Sequence, residues 1–343
     1  MSENIYALFS KIKGEQQSFS PLTAEIDVTF NCPCRCVHCY QELNRVDSKS
    51  ELSTSEILHC IEALHDMGTF ECVISGGDPL CRKDIWEILA YLKQKKIRTV
   101  LYTSGFFLDN ETCERIAKLK IARIEMTLLG TSSMTHDKLC QRPGAFNRII
   151  EGAKMLKQYG LPLRIKYMLM HDNFGELEKL NEIETALSEQ VDVIPYLWCK
   201  QGGCEEEITQ LRITDEELEK YYTSYPFSKR DTSFLSCNAG KYKISIDAVG
   251  NIKPCSAFAT KYGIANIRID SLKDVWETNH FLLHLRKAVR YPNVECRRCD
   301  KNEFCTLCPA IATWASMKYA EVYPAMCKYA EVARRMYNET LSN

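Results

Sequence analysis

From residue 24 onward, short β-rich runs alternate with amphipathic segments, and this alternation restricts the accessible folds more than any other feature of the chain. AEIDVTF is followed by a helical pattern from Ser53, FECVIS by one from Asp84, and RTVLYTS by one after Asp109. ARIEMTLL precedes a helix over Asn147–Tyr159, LRIKYMLM precedes one over Glu176–Glu189, and VDVIPYLW closes the series. Ser53 with Glu56, and Thr214 with Glu217, have capping-box spacing, in which each side chain satisfies an exposed backbone donor at a helix start. Alternating β and α units build a parallel sheet with helices outside. Six of them predict a partial (β/α)6 TIM-like barrel rather than the closed eight-unit form, with ligands at the carboxyl ends of the strands.

After Trp198 the alternation stops. A helix from Asp215 leads into the turn-rich stretch YPFSKRDTSFL, which reads as a boundary. The expected organisation is an N-terminal extension over 1–23, an α/β domain over 24–225, and a cysteine-rich domain with a C-terminal helix over 226–343. Within the last, KISIDAVGNIKPC reads as a hairpin with its turn at Val249-Gly250-Asn251.

Cysteine is the residue whose usage departs from average, at 18 of 343. The N-terminal MSENIYALFSKIKGEQQ mixes charges into its apolar residues and lacks the apolar core of a secretory signal, so a reducing, cytoplasmic setting is expected. There disulfides are a poor explanation for bunched thiols, and metal or iron-sulfur ligation is a better one. A formal charge of -1, from 44 basic and 45 acidic residues, gives no global attraction to nucleic acid or anionic membrane. No apolar run approaches the ~18 residues of a membrane span.

Straight after the first strand comes Asn31-Cys32-Pro33-Cys34-Arg35-Cys36-Val37-His38-Cys39-Tyr40, a C-x3-C-x2-C spacing in a loop. Three thiolates hold three irons of a four-iron cluster and leave the fourth iron open to a ligand that is not protein. Cys34 falls off the spacing and is read as a bystander. His38 is read as positional, and Cys60, Cys72, Cys81 and Cys113 as small buried hydrophobes. One β/α unit later the second strand ends in Ser75-Gly76-Gly77-Asp78-Pro79, where a glycine pair lets backbone approach a ligand closely.

The cysteine loop with its aromatic at Tyr40, together with the Gly-Gly-Asp-Pro turn, resembles the two defining motifs of the radical S-adenosylmethionine (radical SAM) superfamily. The resemblance implies a [4Fe-4S] cluster on Cys32, Cys36 and Cys39 whose open iron chelates SAM, and reductive cleavage to a 5′-deoxyadenosyl radical that abstracts hydrogen. It also implies cosubstrate contacts from Tyr40, Gly76, Gly77, Asp78 and Pro79, with the Asp78 carboxylate among the acceptors of the methionyl ammonium. Ser104 matches a polar residue before glycine at the third strand's end, and Thr127 in Met126-Thr127-Leu128-Leu129-Gly130 matches a ribose-contacting serine. Leu129 stands where that pattern has aspartate. Cys140 stands where it has arginine, leaving Arg142 as the residue to reach the SAM carboxylate.

The tail carries Cys237, Cys255, Cys296, Cys299, Cys305, Cys308 and Cys327. Paired C-x2-C knuckles suggest zinc, but the five residues between the pairs fall short of a zinc ribbon and zinc leaves three cysteines unexplained. The pattern resembles the SPASM extension of radical SAM enzymes that modify peptides, although two residues separate Cys305 from Cys308 where three are usual. By that resemblance Cys296, Cys299, Cys305 and Cys327 hold one auxiliary [4Fe-4S] cluster, and Cys237, Cys255 and Cys308 hold the other. The second is completed by Cys204, by Cys199, or by substrate at an open iron. Three clusters and SAM are the expected cofactors.

The implied activity is that of a radical SAM oxidoreductase acting on a ribosomally made peptide, by cross-linking, thioether formation, excision or another oxidation. About 24 residues before the first strand are too few for an independent peptide-binding fold, so a separate leader-binding protein is an expected partner, beside a reductant such as flavodoxin or ferredoxin. Sulfatase maturation and tetrapyrrole side-chain oxidation are alternatives within the class. A non-enzymatic iron-sulfur electron carrier or redox sensor is the alternative outside it, and the Gly-Gly-Asp-Pro turn speaks against that one. No residue stands out as a catalytic acid, base or radical relay.

Overall fold

The computed structural model describes residues 19–41, 50–187, 189–197, 205–229, 237–258, 263–287, 296, 298–306, 308, 310 and 323–342. The alternation appears as β1 (Thr23–Asp27), α1 (Thr54–Asp66), β2 (Glu71–Ser75), α2 (Ile85–Gln94), β3 (Arg98–Thr103), α3 (Asn110–Leu119) and β4 (Arg123–Leu128). It continues through α4 (Ser133–Cys140), α5 (Ala145–Gln158), β5 (Leu163–Met168), α6 (Leu180–Leu187) and β6 (Val191–Ile194). The short α7 (Glu205–Thr209) and then α8 (Asp215–Ser224) precede β7 (Lys243–Ile246), β8 (Asn251–Lys253) and β9 (Ala265–Asn266). Three more helices, α9 (Leu272–Thr278), α10 (His280–Lys287) and α11 (Pro324–Ser342), complete the described chain.

The strands form one sheet in the order β6-β5-β4-β3-β2-β1-β7-β8-β9. Strands β1 to β6 are parallel in sequence order, the arrangement of a partial barrel. Beyond β1 the sheet does not end. Strand β7 from the cysteine-rich half pairs with β1 in parallel, and β8 and β9 follow antiparallel. The β7–β8 hairpin turns at Asp247 to Gly250, one step earlier than the expected Val249-Gly250-Asn251. Gly250, at φ +91°, donates to the Asp247 carbonyl at 2.9 Å, and the Asp247 side chain accepts from the Val249 and Asn251 amides.

Both capping boxes form: Ser53 with Glu56 opens α1 and Thr214 with Glu217 opens α8. Two elements differ from expectation. Helix α6 starts at Leu180 rather than Glu176, because Asn173 spends its side chain on the Met170 amide and the Leu129 and Met168 carbonyls and holds residues 171–179 in 3-10 turns. Helix α4 has a weak apolar period but a firm start, with the Ser132 hydroxyl accepting from the Thr135 amide.

Strand β1 shows how the sheet divides its two faces. Ala24, Ile26 and Val28 are fully buried on the outer face, in a core shared with Ile57, Ile61 and Leu64 of α1 and Ile88, Leu89 and Leu92 of α2. Each of these valine, leucine and isoleucine side chains contributes roughly 1.5–3 kcal/mol by leaving water. Glu25 and Asp27 face the other way, and that inner face is polar and buried together. Lys243 Nζ lies 2.9 Å from Glu25 and the Ser256 hydroxyl donates to Glu25 at 2.6 Å, while Glu125 takes Arg123 at 2.7 Å and also pairs with Lys166. Burial is the largest influence on Glu25 and opposes its charge, but Lys243, the Ser256 hydroxyl and Lys253 together keep that carboxyl below its ordinary pKa.

Candidate functional site: a cysteine loop over the end of β1

The chain leaves β1 through Thr29 and Asn31, and the turn after β2 packs directly against it. Gly77 donates to the Thr29 carbonyl and Asp78 to the Asn31 carbonyl, both at 2.8 Å. A Cβ on Gly76 would stand 2.3 Å from the Thr29 oxygen, and one on Gly77 2.3 Å from the Asn31 oxygen. Gly76 also has φ +135°, a conformation few other residues adopt. Glycine is thus required at both positions to keep the two motifs in contact.

Residues that the sequence did not single out hold this junction. Glu51 accepts from the Phe30 amide at 2.7 Å and from the Thr29 hydroxyl at 3.0 Å. Arg82 donates to the Val28 and Leu52 carbonyls, both at 2.8 Å, while paired with Asp84 at 2.6 Å. The cysteine loop is strapped to the C-terminal end of α4, with Arg35 donating to the Cys140 carbonyl and Val37 to that of Leu139, both at 2.9 Å. The helix that the sequence left unread is therefore the support of the loop.

Cys32, Cys36 and Cys39 are half-buried on that loop and form no disulfide. Cys34 is buried, and hydrogen bonds from its thiol to Cys140, and then to Cys32 and Cys36, keep it protonated above the usual thiol range. The same bond is the largest influence lowering Cys32, which favours the thiolate that metal ligation needs. His38 is pushed down to about 4 by burial, and its Nδ1 has no hydrogen-bond partner. Tyr40 turns inward. Burial, with the Glu25 and Asp27 carboxylates adding, raises its phenol well above the ordinary value.

Asp78 is fully buried, and its carboxylate is taken up within the protein by the Leu80 amide at 3.0 Å, the Thr103 hydroxyl at 3.0 Å and the Ser104 amide at 2.9 Å. The Ser104 hydroxyl donates to the same carboxylate, so the Asp78 and Ser104 side chains are hydrogen-bonded to each other. Pro79 is buried as the first residue of a 3-10 turn. Thr127 is half-buried on the inner face of β4, and Leu129 is buried, its amide donating to His136 Nδ1 at 3.1 Å. Arg142 is exposed, its guanidinium 4.7 Å from the Phe106 ring in the loop after β3, so a cation stands at the same rim of the sheet as Ser104.

The tail cysteines also gather. Cys296, Cys299, Cys305 and Cys327 line one small cavity together with Tyr323, Met326 and Ala330. Cys255 is buried and pushed up to about 12, chiefly by burial, and the charges it feels include Cys308 and Cys237. Cys199 and Cys204 lie outside the described residues. Among the described residues no three cysteine thiols converge to within 4.8 Å. Tetrahedral zinc, with bonds near 2.3 Å, would set its sulfurs about 3.8 Å apart. Wider-set thiols around a common space suit an iron-sulfur cluster better.

Residues 26–182 match the family model described as Radical SAM superfamily, and residues 237–300 match that described as SPASM, an iron-sulfur cluster-binding domain. The chain carries a radical SAM domain followed by a SPASM domain. This radical SAM/SPASM chain is 26% identical over 303 residues to a PqqA peptide cyclase of Granulibacter bethesdensis, covering 82% of itself and 80% of that protein. It is 26% identical over 331 residues to an AdoMet-dependent heme synthase of Methanosarcina barkeri, covering 87% and 94%. Its fold matches Streptococcus suis SuiB bound to the precursor peptide SuiA with a TM-score of 0.65 at 20% identity, covering 94% of this chain and 81% of that one. The two domains imply [4Fe-4S] clusters and SAM, and the half-buried thiols of the loop and the shared cavity of the tail fit such groups. Among the described residues no helix is long and apolar enough to cross a membrane.

Proposed function

We propose that the chain reductively cleaves SAM and uses the resulting radical to modify a ribosomally made peptide. Cys32, Cys36 and Cys39 would hold the SAM-binding cluster. The auxiliary sets would be Cys296, Cys299, Cys305 and Cys327, and Cys237, Cys255 and Cys308 with Cys204. When bound, cluster and SAM supply a 5′-deoxyadenosyl radical that takes a hydrogen atom from the substrate. The protein's own part is to hold and orient. Backbone groups of the Gly76-Gly77 turn meet the methionyl end, Arg142 at the rim offers a cation to its carboxylate, and Thr127 on the inner face of β4 offers a hydroxyl to the ribose.

The observation that carries the peptide reading is the inner face of the sheet. Its cations face carboxylates, Lys243 with Glu25, Lys166 and Arg123 with Glu125, Arg98 with Glu71, so the lining is polar but internally balanced. Such a surface suits the neutral, hydrogen-bonding backbone of a peptide better than a multiply anionic tetrapyrrole, which would need cations of its own. The peptide cyclase relative supports the same reading. The heme synthase relative supports the second one, tetrapyrrole side-chain oxidation. Anaerobic incubation of reconstituted enzyme with SAM, reductant and a genomically adjacent short peptide separates them. A changed peptide mass is expected, and an unchanged mass alongside deoxyadenosine formation would contradict the peptide substrate.

A further inference from the structure

The rim of the sheet beside the cysteine loop carries cations that the described residues do not neutralise. Arg142, just past α4, and Arg148, in the first turn of α5, place their guanidiniums 4.7 Å and 5.6 Å from the same Phe106 ring. Both side chains are exposed, and neither guanidinium makes a hydrogen bond or an ion pair among the described residues. Elsewhere arginines are answered, as Arg123 is by Glu125 and Arg164 by Asp192. The carboxylates alongside are committed to helix starts: Asp109 accepts from the Thr112 amide at 2.8 Å, and Asp137 from the Gly144 and Phe146 amides at 2.6 Å and 2.8 Å. Arg35, exposed on the cysteine loop itself, donates to the Cys32 carbonyl at 2.7 Å and the Cys34 carbonyl at 2.8 Å. Its amide bonds the carbonyl of Cys140, two residues before Arg142, so the cations and the loop share one face. Phe107, an exposed aromatic, stands edge-on to Phe106 at 5.5 Å.

We infer that this face, formed by Arg35, Arg142, Arg148 and the Phe106-Phe107 pair, receives an acidic one-electron carrier protein. The inference rests on the radical reading above, which requires an electron for each SAM cleaved. The step moves one electron from the carrier's flavin or iron-sulfur centre to the cluster of Cys32, Cys36 and Cys39, with no bond made or broken. The chain as a whole carries a formal charge of -1, so the cation excess is a local property of this rim. Such a patch steers an acidic partner and fixes its orientation, and arginine with aromatic rings is the composition that protein interfaces favour. A peptide substrate fits the face less well. The inner face of the sheet, where a peptide would lie, has its cations matched by carboxylates, whereas Arg35 sets this rim directly against the backbone of the cysteine loop.

The test supplies reconstituted enzyme with a reduced bacterial flavodoxin, with a reduced bacterial ferredoxin, or with dithionite, a small reductant that needs no docking face. Wild type is compared with Arg148→Glu and Arg148→Ala, and Arg142 is kept because it is proposed to meet SAM. Deoxyadenosine formed without peptide is measured, and binding of each carrier to the cluster-free chain is followed by titration calorimetry. Carrier-driven deoxyadenosine should fall about tenfold in Arg148→Glu and by less in Arg148→Ala, with carrier binding weakened in the same order. Added salt should slow the carrier-driven wild type more than either variant. Dithionite-driven rates should stay within about twofold of wild type, since no protein encounter is involved. Wild-type binding and carrier-driven rates in Arg148→Glu, an equal loss with dithionite, or no binding of either carrier to wild type would overturn the inference. So would a raised KM for a genomically adjacent peptide with carrier-driven rates unchanged, which would assign the face to the substrate. Should Arg148→Glu fail to fold, Arg148→Ala and the salt dependence decide. If wild type forms no deoxyadenosine with dithionite, the radical reading fails, while carrier binding to the cluster-free chain still reports on the face.

Discussion

Asp78 buries its carboxylate against Ser104, which donates to it twice, from the amide at 2.9 Å and from the hydroxyl at 2.5 Å. A residue that family resemblance assigns to the cosubstrate is thus the clasp between the glycine turn and β3. Replacing it with alanine strands the Leu80 and Ser104 amides in the interior. Asp78→Ala should lose about 2–4 kcal/mol of stability in denaturant unfolding. Asp78→Asn, which keeps one acceptor oxygen, should lose less.

The glycine pair gives a sharper steric prediction. A methyl group at Gly76 or Gly77 meets a backbone oxygen at 2.3 Å, and backbone cannot step aside as a side-chain tip can. Gly77→Ala should cost about 1–3 kcal/mol by overpacking, and Gly76→Ala more, because its φ of +135° adds strain. Thermal melting checks the stability. Iron content after reconstitution checks that the cysteine loop has been displaced.

Cys34 and its neighbours separate the loop's ligands from its bystander. Cys34→Ala should leave the iron content of the reconstituted protein unchanged, because that thiol is buried and turned to Cys140. Alanine at Cys32, Cys36 or Cys39 should remove roughly four irons and all SAM cleavage. Iron loss in the Cys34 variant would contradict this division.

The cavity shared by Cys296, Cys299, Cys305 and Cys327 predicts a different phenotype. Cys327→Ala should also lose roughly four irons, yet retain deoxyadenosine formation in the absence of peptide, with peptide modification lost. Equal loss of SAM cleavage in this variant and in Cys32→Ala would argue that the two sites are not separate.

Arg268 offers a pH prediction. It pairs with Glu56 at 2.6 Å and donates to the Ser50 and Glu51 carbonyls, both at 3.0 Å, so it steadies the segment whose Glu51 caps the end of β1. Arg268, with Ser53 assisting, lowers Glu56 to about 2 from an ordinary 4.5. A depressed carboxyl stabilises the fold above pH 4.5 and loses that contribution as pH falls towards 2. Both side chains are about a third exposed, so the contribution is at most about 1 kcal/mol. Arg268→Ala should lose that much at neutral pH and flatten the acid limb of the unfolding curve.

The β/α order, both capping boxes and the two cysteine fields were legible because each rests on local pattern: period-two or period-3.6 hydrophobicity, a short polar spacing, bunched thiols. Helix α4 was not legible, since its support of the loop runs through the backbone carbonyls of Leu139 and Cys140. Glu51, Arg82 and Asn173 were missed for the same reason, as their partners are main-chain groups distant in sequence. The polar inner face was signalled by Glu25 and Asp27 alternating with Ile26 and Val28. That signal is weaker than the apolar half of the same alternation, because it takes the paired strand β7 to show that Lys243 answers Glu25. The side-chain role of Asp78 depends on Ser104, 26 residues away, and motif reading alone pointed it towards a ligand.

On the proposed function, the loop of Cys32, Cys36 and Cys39, held by the Gly76-Gly77 turn, would make this chain a radical generator. The most direct test is deoxyadenosine production by anaerobically reconstituted protein given SAM and a low-potential reductant, with Cys36→Ala beside it. Reductant-dependent deoxyadenosine from the wild type and none from the variant is the predicted result. No deoxyadenosine from iron-replete wild type, or equal amounts from both proteins, would contradict it.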